Sequence, residues 1–520
     1  MADPKHERAA GWLGVLERLG NRLPDPATLF LLGALLVVGV AHWAASAGWS
    51  VEKTVAQDGE LVNVALSARS LLTADGIFWA LRNLVKNFVQ FPPLGVVLVG
   101  MLGIGVAERS GFIGAALKTV MLAVPSWLLA PTLMFVGVLS SMGIDAGYVV
   151  LPPVAAALYK AVGRSPLVGL ATVFAGVSAG FSANLFVTSL DPMLAEFTTS
   201  AAQLRDPAYQ VAATSNWWFM IASTVLLTFV GWGVTSLWVE PRWSDRPPEE
   251  GGPTPVDTSD LESQRLTPEQ RRGLWAAMIA LAVSLAVMVV ATVVPGAPLH
   301  VAPGEPARWI PVIVPLLFFA FLIPGIAYGV AVREVRSDRD VARMMGETMA
   351  GMGPYLVLSF FAAQFIAWFR YTGLGEMLAI AGGDRLVEAA LPNSGLMVAF
   401  VFVVAVGNLF IGSMSAKYAF FAPVFVPMFM AVGISPELTQ VTYRVGDSVS
   451  NVITPLNPYM VILLVFMRRY APEGGLGTLV ALMLPYALVF TVAWVIMLVV
   501  WMGLGLELGP AGPLEYLPAP

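Results

Sequence analysis

The chain of 520 residues has no cysteine and only three histidines, His6, His42 and His300. The first absence excludes disulfides and thiolate metal sites. The second argues against a histidine-based metal centre, because the three rings lie at a terminus or at the ends of apolar runs. Charge is scarce too: 12% of residues are charged against 57% hydrophobic, and the mean hydropathy is +0.75. A soluble domain cannot hide that much apolar surface. A phosphate loop of the form GxxxxGK[ST], which a nucleotide-driven pump would need, is missing as well. The net charge of −5 says little, because membrane orientation follows Lys and Arg in short loops.

What the chain has instead is a series of apolar runs, each close to the roughly 20 residues that cross about 30 Å of hydrocarbon. They lie near 28–47, 92–107, 127–142, 214–239, 272–294, 309–332, 396–411 and 476–503. With the interrupted segments between them, the pattern predicts an all-α polytopic membrane protein of about nine spans plus partial ones. Basic residues cluster at Lys5, Arg8, Arg18 and Arg22, at Arg242 to Arg272, and at Arg333 to Arg343, so these three stretches read as cytoplasmic. Residues 503–520 contain no Lys or Arg and read as external, as do 48–75 and 295–308. A charged stretch of about 27 residues before the first run argues against a cleavable signal. Within it, Trp12, Leu13, Leu16 and Leu19 are spaced for a helix lying on a membrane surface.

One passage occurs twice. Residues 140–192 return as 413–458 with their landmarks in order: Ser141-Met142 against Ser413-Met414, Pro153 against Pro423, Gly163 to Pro166 against Gly433 to Pro436, and Thr188 to Pro192 against Thr454 to Pro458. Upstream, Pro93 to Phe112 matches Pro354 to Leu374, ending on Gly111 and Gly373. Residues 241–270, rich in Pro, Gly and acid, form a cytoplasmic linker between a first half (1–240) and a second (271–520). The linker ends on Thr267-Pro268-Glu269-Gln270, a helix start. Apolar segments interrupted at matching points are the sequence mark of inverted-repeat secondary transporters. Each copy is expected to hold a re-entrant hairpin and a discontinuous helix, with Pro423 and Pro427 interrupting the second hairpin and Gly433 to Pro436 forming its tip.

Charges inside apolar context mark candidate functional residues. Asp447, in RVGDSVSNVITPLNP, with Asn451, Thr454 and local carbonyls, reads as a binding site for a hard monovalent cation; alternatively it pairs with Arg444, three residues earlier on the same helix. Asp191, with Asn184 and Thr188 upstream, either contributes to the substrate path or caps the helix that begins at Pro192; its counterpart is Asn457. The stretch NLFIGSMSAKY supplies Asn408, Ser413, Ser415 and Tyr418, a lining suited to an anion with a flat ring. In the alternative, Ser413 and Ser415 are small packing residues and Lys417 extends to the interface. Asp145 stands near the position of Lys417 in the first copy, and Glu108, Arg109 and Arg370 read as interfacial anchors. Asp191 and Asp447 superficially resemble a protease dyad, but their motifs differ, so no enzyme is expected.

AAQF at 362–365, SAKYAFFAPVFVPM at 415–428, GISPELTQ at 433–440, YRVGDSVSNVITPLNPY at 443–459 and GTLVALMLPY at 477–486 together resemble the AbgT family, the p-aminobenzoyl-glutamate transporters. The resemblance covers nearly the whole chain. It implies a homodimer in the bacterial inner membrane, about nine spanning helices with two re-entrant hairpins, and transport driven by a gradient of Na⁺, or H⁺, with no other cofactor and no nucleic-acid partner. The implied cargo is p-aminobenzoyl-glutamate or a related aromatic carboxylate, with sulfonamide efflux in some members. Carried across motif by motif, the family's functional positions are Asp191, Asn408, Ser415, Tyr418, Pro436, Arg444, Asp447 and Pro455. The family usually has Trp where this chain has Tyr418, and Asn where it has Gly373.

Overall fold

A computed structural model describes residues 26–57, 60–143, 146–301, 307–388, 391–409, 411–454, 457 and 459–517. The surface helix expected near Trp12, and Asp145 and Pro455, lie outside the described residues. The first half runs α1 (Pro26–Ser46), β1 (Ser50–Gln57), β2 (Glu60–Ser67), α2 (Ala74–Val89), α3 (Pro92–Arg109), α4 (Phe112–Leu122), α5 (Leu129–Leu139), α6 (Ala146–Ala161), α7 (Pro166–Ala179), α8 (Leu190–Ala202) and α9 (Trp217–Val234). Two short helices, α10 (Glu240–Ser244) and α11 (Ser259–Gln264), lie in the linker. The second half runs α12 (Pro268–Val293), α13 (Ile313–Ala331), α14 (Asp338–Gly351), α15 (Gly353–Tyr371), α16 (Leu374–Glu388), α17 (Asn393–Asn408), α18 (Met414–Met430), α19 (Pro436–Ser450), α20 (Tyr459–Arg468) and α21 (Leu476–Gly503).

The duplicated passage is a duplicated architecture: from α3 to α9, each helix has its counterpart twelve places later. Gly111 and Gly373 end α3 and α15 at φ +89° and +74°, and Gly163 and Gly433 end the turns after α6 and α18 at +71° and +83°. Only glycine adopts that backbone without strain. Ser165 and Ser435 then cap α7 and α19, each Oγ accepting from the backbone N–H three residues on, followed by Pro at the first helical position.

Packing shows how the broken pieces lie. Along α7, Gly169 meets Ala155 and Tyr159 of α6, whereas Gly176 meets Met134 and Gly137 near the end of α5. Helix α5 therefore runs alongside α7 to a break at Ser140–Gly143, and α6 returns to the side from which α5 came. In the second copy Gly446 of α19 meets Val401 and Val404 of α17 in the same way. Thus α5–α6 and α17–α18 are re-entrant pairs, while α7–α8 and α19–α20 are spans broken at their middles. Gly433 to Pro436 joins the re-entrant pair to the broken span and is not the hairpin tip. The prolines do not interrupt the pair either: α18 continues through Pro423 and Pro427, while α17 ends at Asn408 and α18 begins at Met414. Pro is tolerated inside such helices because buried neighbours re-satisfy the freed carbonyls.

Among the described residues six helices are long and apolar enough to cross a membrane: α1, the joined α2–α3, α9 with its extension to Ser244, α12, α13 and α21. Two bent pairs, α4–α5 and α14–α15, bring the count among the described residues to as many as eight, against the nine or so expected from the sequence. Residues 48–75, expected as a loop, contain the antiparallel hairpin β1–β2, with Gln57 opposite Glu60.

The two copies point in opposite directions. At the first turn, Ser165 donates to the carbonyl of Gly251 at 2.5 Å, and Arg164 forms an ion pair with Glu240, so the linker clasps it. At the second turn, Ser435 donates to Pro513 at 2.7 Å, Ile434 bridges to Glu515, and Tyr516 N–H donates to Gly433 at 2.9 Å, so the C-terminal segment clasps it. Helix α9 links the two regions: Phe219 N–H donates to Leu508, and Asn216 donates to the Glu437 carbonyl at 3.0 Å, while the far end of the same helix reaches Glu240. At 1.5 Å per residue its 28 residues cover roughly 42 Å, a full membrane. The turns therefore lie at opposite faces.

Candidate functional site

Four helix breaks meet at the centre, and two buried ion pairs hold them together. Arg444 of α19 donates to Asp191 Oδ1 at 2.7 Å and to the carbonyl of Ser182 at 2.7 Å, joining the second copy to the first. Asp191 Oδ2 in turn accepts from the backbone N–H and the hydroxyl of Thr188 at 2.6 and 2.9 Å. Asn184 stands beside the same carboxylate at 3.4 Å. Asp191, in the first turn of α8, thus braces the unwound segment before it and anchors the guanidinium from the other repeat.

The second pair is Lys417 of α18 with Asp447 Oδ1, at 2.6 Å. Lys417 also donates to Asn408 Oδ1. The amide of Asn408 donates to the Asp447 carbonyl, Ser450 Oγ and Asn451 Oδ1 at 2.9, 2.9 and 2.7 Å, and Thr454 donates to the Asn408 carbonyl at 3.2 Å. Asn457 donates to Ser178 Oγ at 3.1 Å across the repeats and to the Asn451 carbonyl at 3.0 Å. Side-chain exposure is 0% and 1% for Lys417 and Asp447, and 0% and 4% for Arg444 and Asp191, so both pairs are sealed from solvent. Burial at this depth is tolerated only because each charge is matched and further hydrogen-bonded.

Two features differ from the sequence reading. Arg444 and Asp447 do not pair with each other, since each has a separate partner. Lys417 does not extend to the interface but lies on Asp447. Ser413 Oγ caps α18, accepting from Ala416 N–H at 3.4 Å, and lies 3.3 Å from Ser415 Oγ; both serines are half-buried at the open N-terminus of that helix. Tyr418 is fully buried, its hydroxyl 2.6 Å from Thr198 of α8 and its ring centroid 4.3 Å from that of Tyr443. Pro436 is buried at the start of α19, at the membrane face and away from the central breaks.

Sequence reasoning did not single out Thr198, Gln440 or Tyr443, which tie α8, α18 and α19 together. It also missed the parallel stack of Tyr148 on Tyr459, centroids 3.9 Å apart. Tyr459 begins α20 and Tyr148 is the third residue of α6, so an aromatic residue in the first turn after a helix break was the available signal. Among the described residues Asp447 Oδ2 is buried without a hydrogen-bond partner, as are Ser182 Oγ and Arg444 Nε.

Inverted repeats, re-entrant pairs and polar breaks sealed at mid-membrane define a secondary-transporter architecture. The profile of the AbgT putative transporter family matches residues 11–516, and the chain belongs to that family. It is 34% identical to the p-aminobenzoyl-glutamate transport protein of Escherichia coli (strain K12) over 513 residues, covering 98% of this chain and 97% of that protein. Among solved structures, the Alcanivorax borkumensis YdaH transporter superposes with a TM-score of 0.84 at 42% identity, covering 94% of this chain and all of the other. Neisseria gonorrhoeae MtrF, described as illuminating a class of antimetabolite efflux pumps, superposes at 0.89 with 39% identity, covering 97% and 100%. The protein is a multi-pass membrane transporter and not an enzyme.

Proposed function

We propose that this transporter is driven by an ion gradient and moves aromatic carboxylates of the p-aminobenzoyl-glutamate type, with sulfonamide-type drugs as a second class of cargo. The cargo class is supported by the named relative and by the half-buried hydroxyls of Ser413 and Ser415 at the N-terminus of α18, where backbone N–H groups favour a carboxylate. The observation that carries the coupling is Asp447 Oδ2, which has no hydrogen-bond partner among the described residues, beside the Lys417–Asn408–Asn451 network. A carboxylate oxygen next to unwound backbone suits Na⁺. Binding there adds positive charge next to Lys417, so ion occupancy is felt by the helix that begins at Ser413. A proton is the second reading, supported by the Lys417–Asp447 contact, since a proton moving within that pair alters its charge balance in the same place.

A carrier is favoured over a channel because one pair ties a re-entrant helix to a broken span and the other ties the broken spans of the two repeats, so that passage requires the helices to move. The homodimer, the inner-membrane setting and the external C-terminus belong to the same proposal. Uptake into proteoliposomes under an imposed Na⁺ or H⁺ gradient tests it, with p-aminobenzoyl-glutamate and a sulfonamide as cargo. Accumulation should follow one of the two gradients and be abolished in Asp447→Ala, while Glu108→Ala retains it. Undiminished coupling in Asp447→Ala would remove the ion from this site.

A further inference from the structure

A second polar region lies away from the ion pairs, between α2, α8 and α15. A cavity of about 450 Å³ is lined by Trp79, Lys86 and Gln90 of α2, Ser200 of α8, and Arg370 and Tyr371 of α15. It shares Trp79, Asn83, Lys86 and Tyr371 with an adjoining cavity of about 510 Å³ that adds Arg82 and Asp75. Together they form one groove. It opens at the face of the C-terminal segment: Thr372 accepts from Arg69 beside the β-hairpin, and Gln203, at the groove wall, donates to Tyr209, whose ring packs on Tyr516. It ends at the joint between α2 and α3, where Phe91 meets Phe197 of α8 with centroids 5.9 Å apart.

Helix α2 explains the lining. Ile77, Phe78, Leu81, Val85 and Val89 share one face and are exposed, as lipid-facing residues should be. Trp79, Arg82, Asn83, Lys86 and Gln90 take the other face at helical spacing. Three cations thus stand against the single carboxylate of Asp75. Among the described residues none of Arg82, Lys86 and Arg370 has an ion-pair partner, and Arg370 reaches only the Ser200 carbonyl, at 3.5 Å. All three cations are exposed, so each is open to water or to an anion in the groove. Ser200 Oγ in the wall is buried without a hydrogen-bond partner among the described residues. The rings of Trp79 and Tyr371 are stacked 4.1 Å apart at 23°, a platform beside the cations. Ser200 and Asp191 stand on the same helix, nine residues or roughly 14 Å apart.

We propose that this groove is an outer recruitment site for an aromatic carboxylate, with Arg370 and Lys86 taking the carboxylate and the Trp79–Tyr371 stack taking the ring. The cargo class rests on the function proposed above; the groove's preference for anions does not. The cysteine-free chain permits a direct test with Asn83→Cys as the sole thiol in the full-length protein. In neutral-lipid vesicles, an anionic sulfonate methanethiosulfonate should modify it at least about threefold faster than a cationic one, and 1 M salt should remove most of the difference. The preference should collapse in Lys86→Gln/Arg370→Gln, and p-aminobenzoyl-glutamate should protect the thiol. In transport, that double variant should raise KM about tenfold, as expected for loss of a charge-assisted hydrogen bond, with a smaller change in maximal rate. Arg385→Gln, in an exposed pair with Glu388, should leave KM unchanged.

Equal rates for the two reagents, an unmoved KM, or protection by anionic lipid with no further effect of the solute would overturn the recruitment site. Absence of wild-type uptake alone would overturn the cargo reading and not the groove's anion preference, because the reagent comparison involves no transport.

Discussion

The two central ion pairs differ in what they join. Arg444–Asp191 links the two repeats, whereas Lys417–Asp447 links a re-entrant helix to the broken span behind it. Removing one member of a buried pair leaves an uncompensated charge and costs about 3–5 kcal/mol, while removing both is far milder. Arg444→Met should therefore lower the stability of the purified protein by about that much, and Arg444→Met/Asp191→Asn should recover most of the loss in thermal unfolding. Losses that simply add would show that the two side chains do not act as a pair. All four charged residues were visible in the sequence as charges in apolar surroundings, but their partners were not. Residues three apart on a helix point roughly 60° from each other, so they can share a broad face and still meet different neighbours. Arg444 turns to α8 and Asp447 to α18, a choice that depends on how separate helices pack and that spacing within one helix does not contain.

At the scale of elements, the repeated Gly-Xaa-Ser-Pro turn is held from outside. Ser435 Oγ both accepts from Leu438 N–H and donates to Pro513, so Ser435→Ala should cost about 1 kcal/mol through the cap alone. Removing residues 510–520 should speed hydrogen exchange in the first turn of α19 and leave the first turn of α7 unchanged, because Ser165 is held by Gly251 instead. Equal protection of α19 in the truncated and full proteins would show that the segment is a bystander. Both turns were legible, since Gly, Ser and Pro each leave a local signature. The clasps were not: the linker and the C-terminal segment act largely through backbone groups, which have no pattern in the side chains. The β-hairpin was a nearer miss, as Asp58-Gly59 between alternating residues is a short-range hairpin signal.

For the whole molecule, inversion has a consequence that distinguishes it from a parallel repeat. If the two Gly-Xaa-Ser-Pro turns lie at opposite faces, the segments that clasp them must be separated by the bilayer: the linker on the side where Lys and Arg collect, the C-terminal segment on the other. Arg246 and Glu515 are exposed, one in each segment, and the chain has no native thiol to compete with a label. In intact cells freed of their outer wall, an impermeant maleimide should label Glu515→Cys directly and Arg246→Cys only after permeabilisation. Labelling of both from the same side would require α9 to fail to cross the membrane. A 28-residue apolar helix anchored at one end to Leu508 and at the other to Arg164 through Glu240 could do so only by lying along the surface, with its exposed Phe229, Trp232 and Leu237 in water. The hydrophobic cost of that arrangement makes opposite-side labelling the expected result, and the same experiment places the outer groove on the face of the C-terminal segment, where an external anion would arrive.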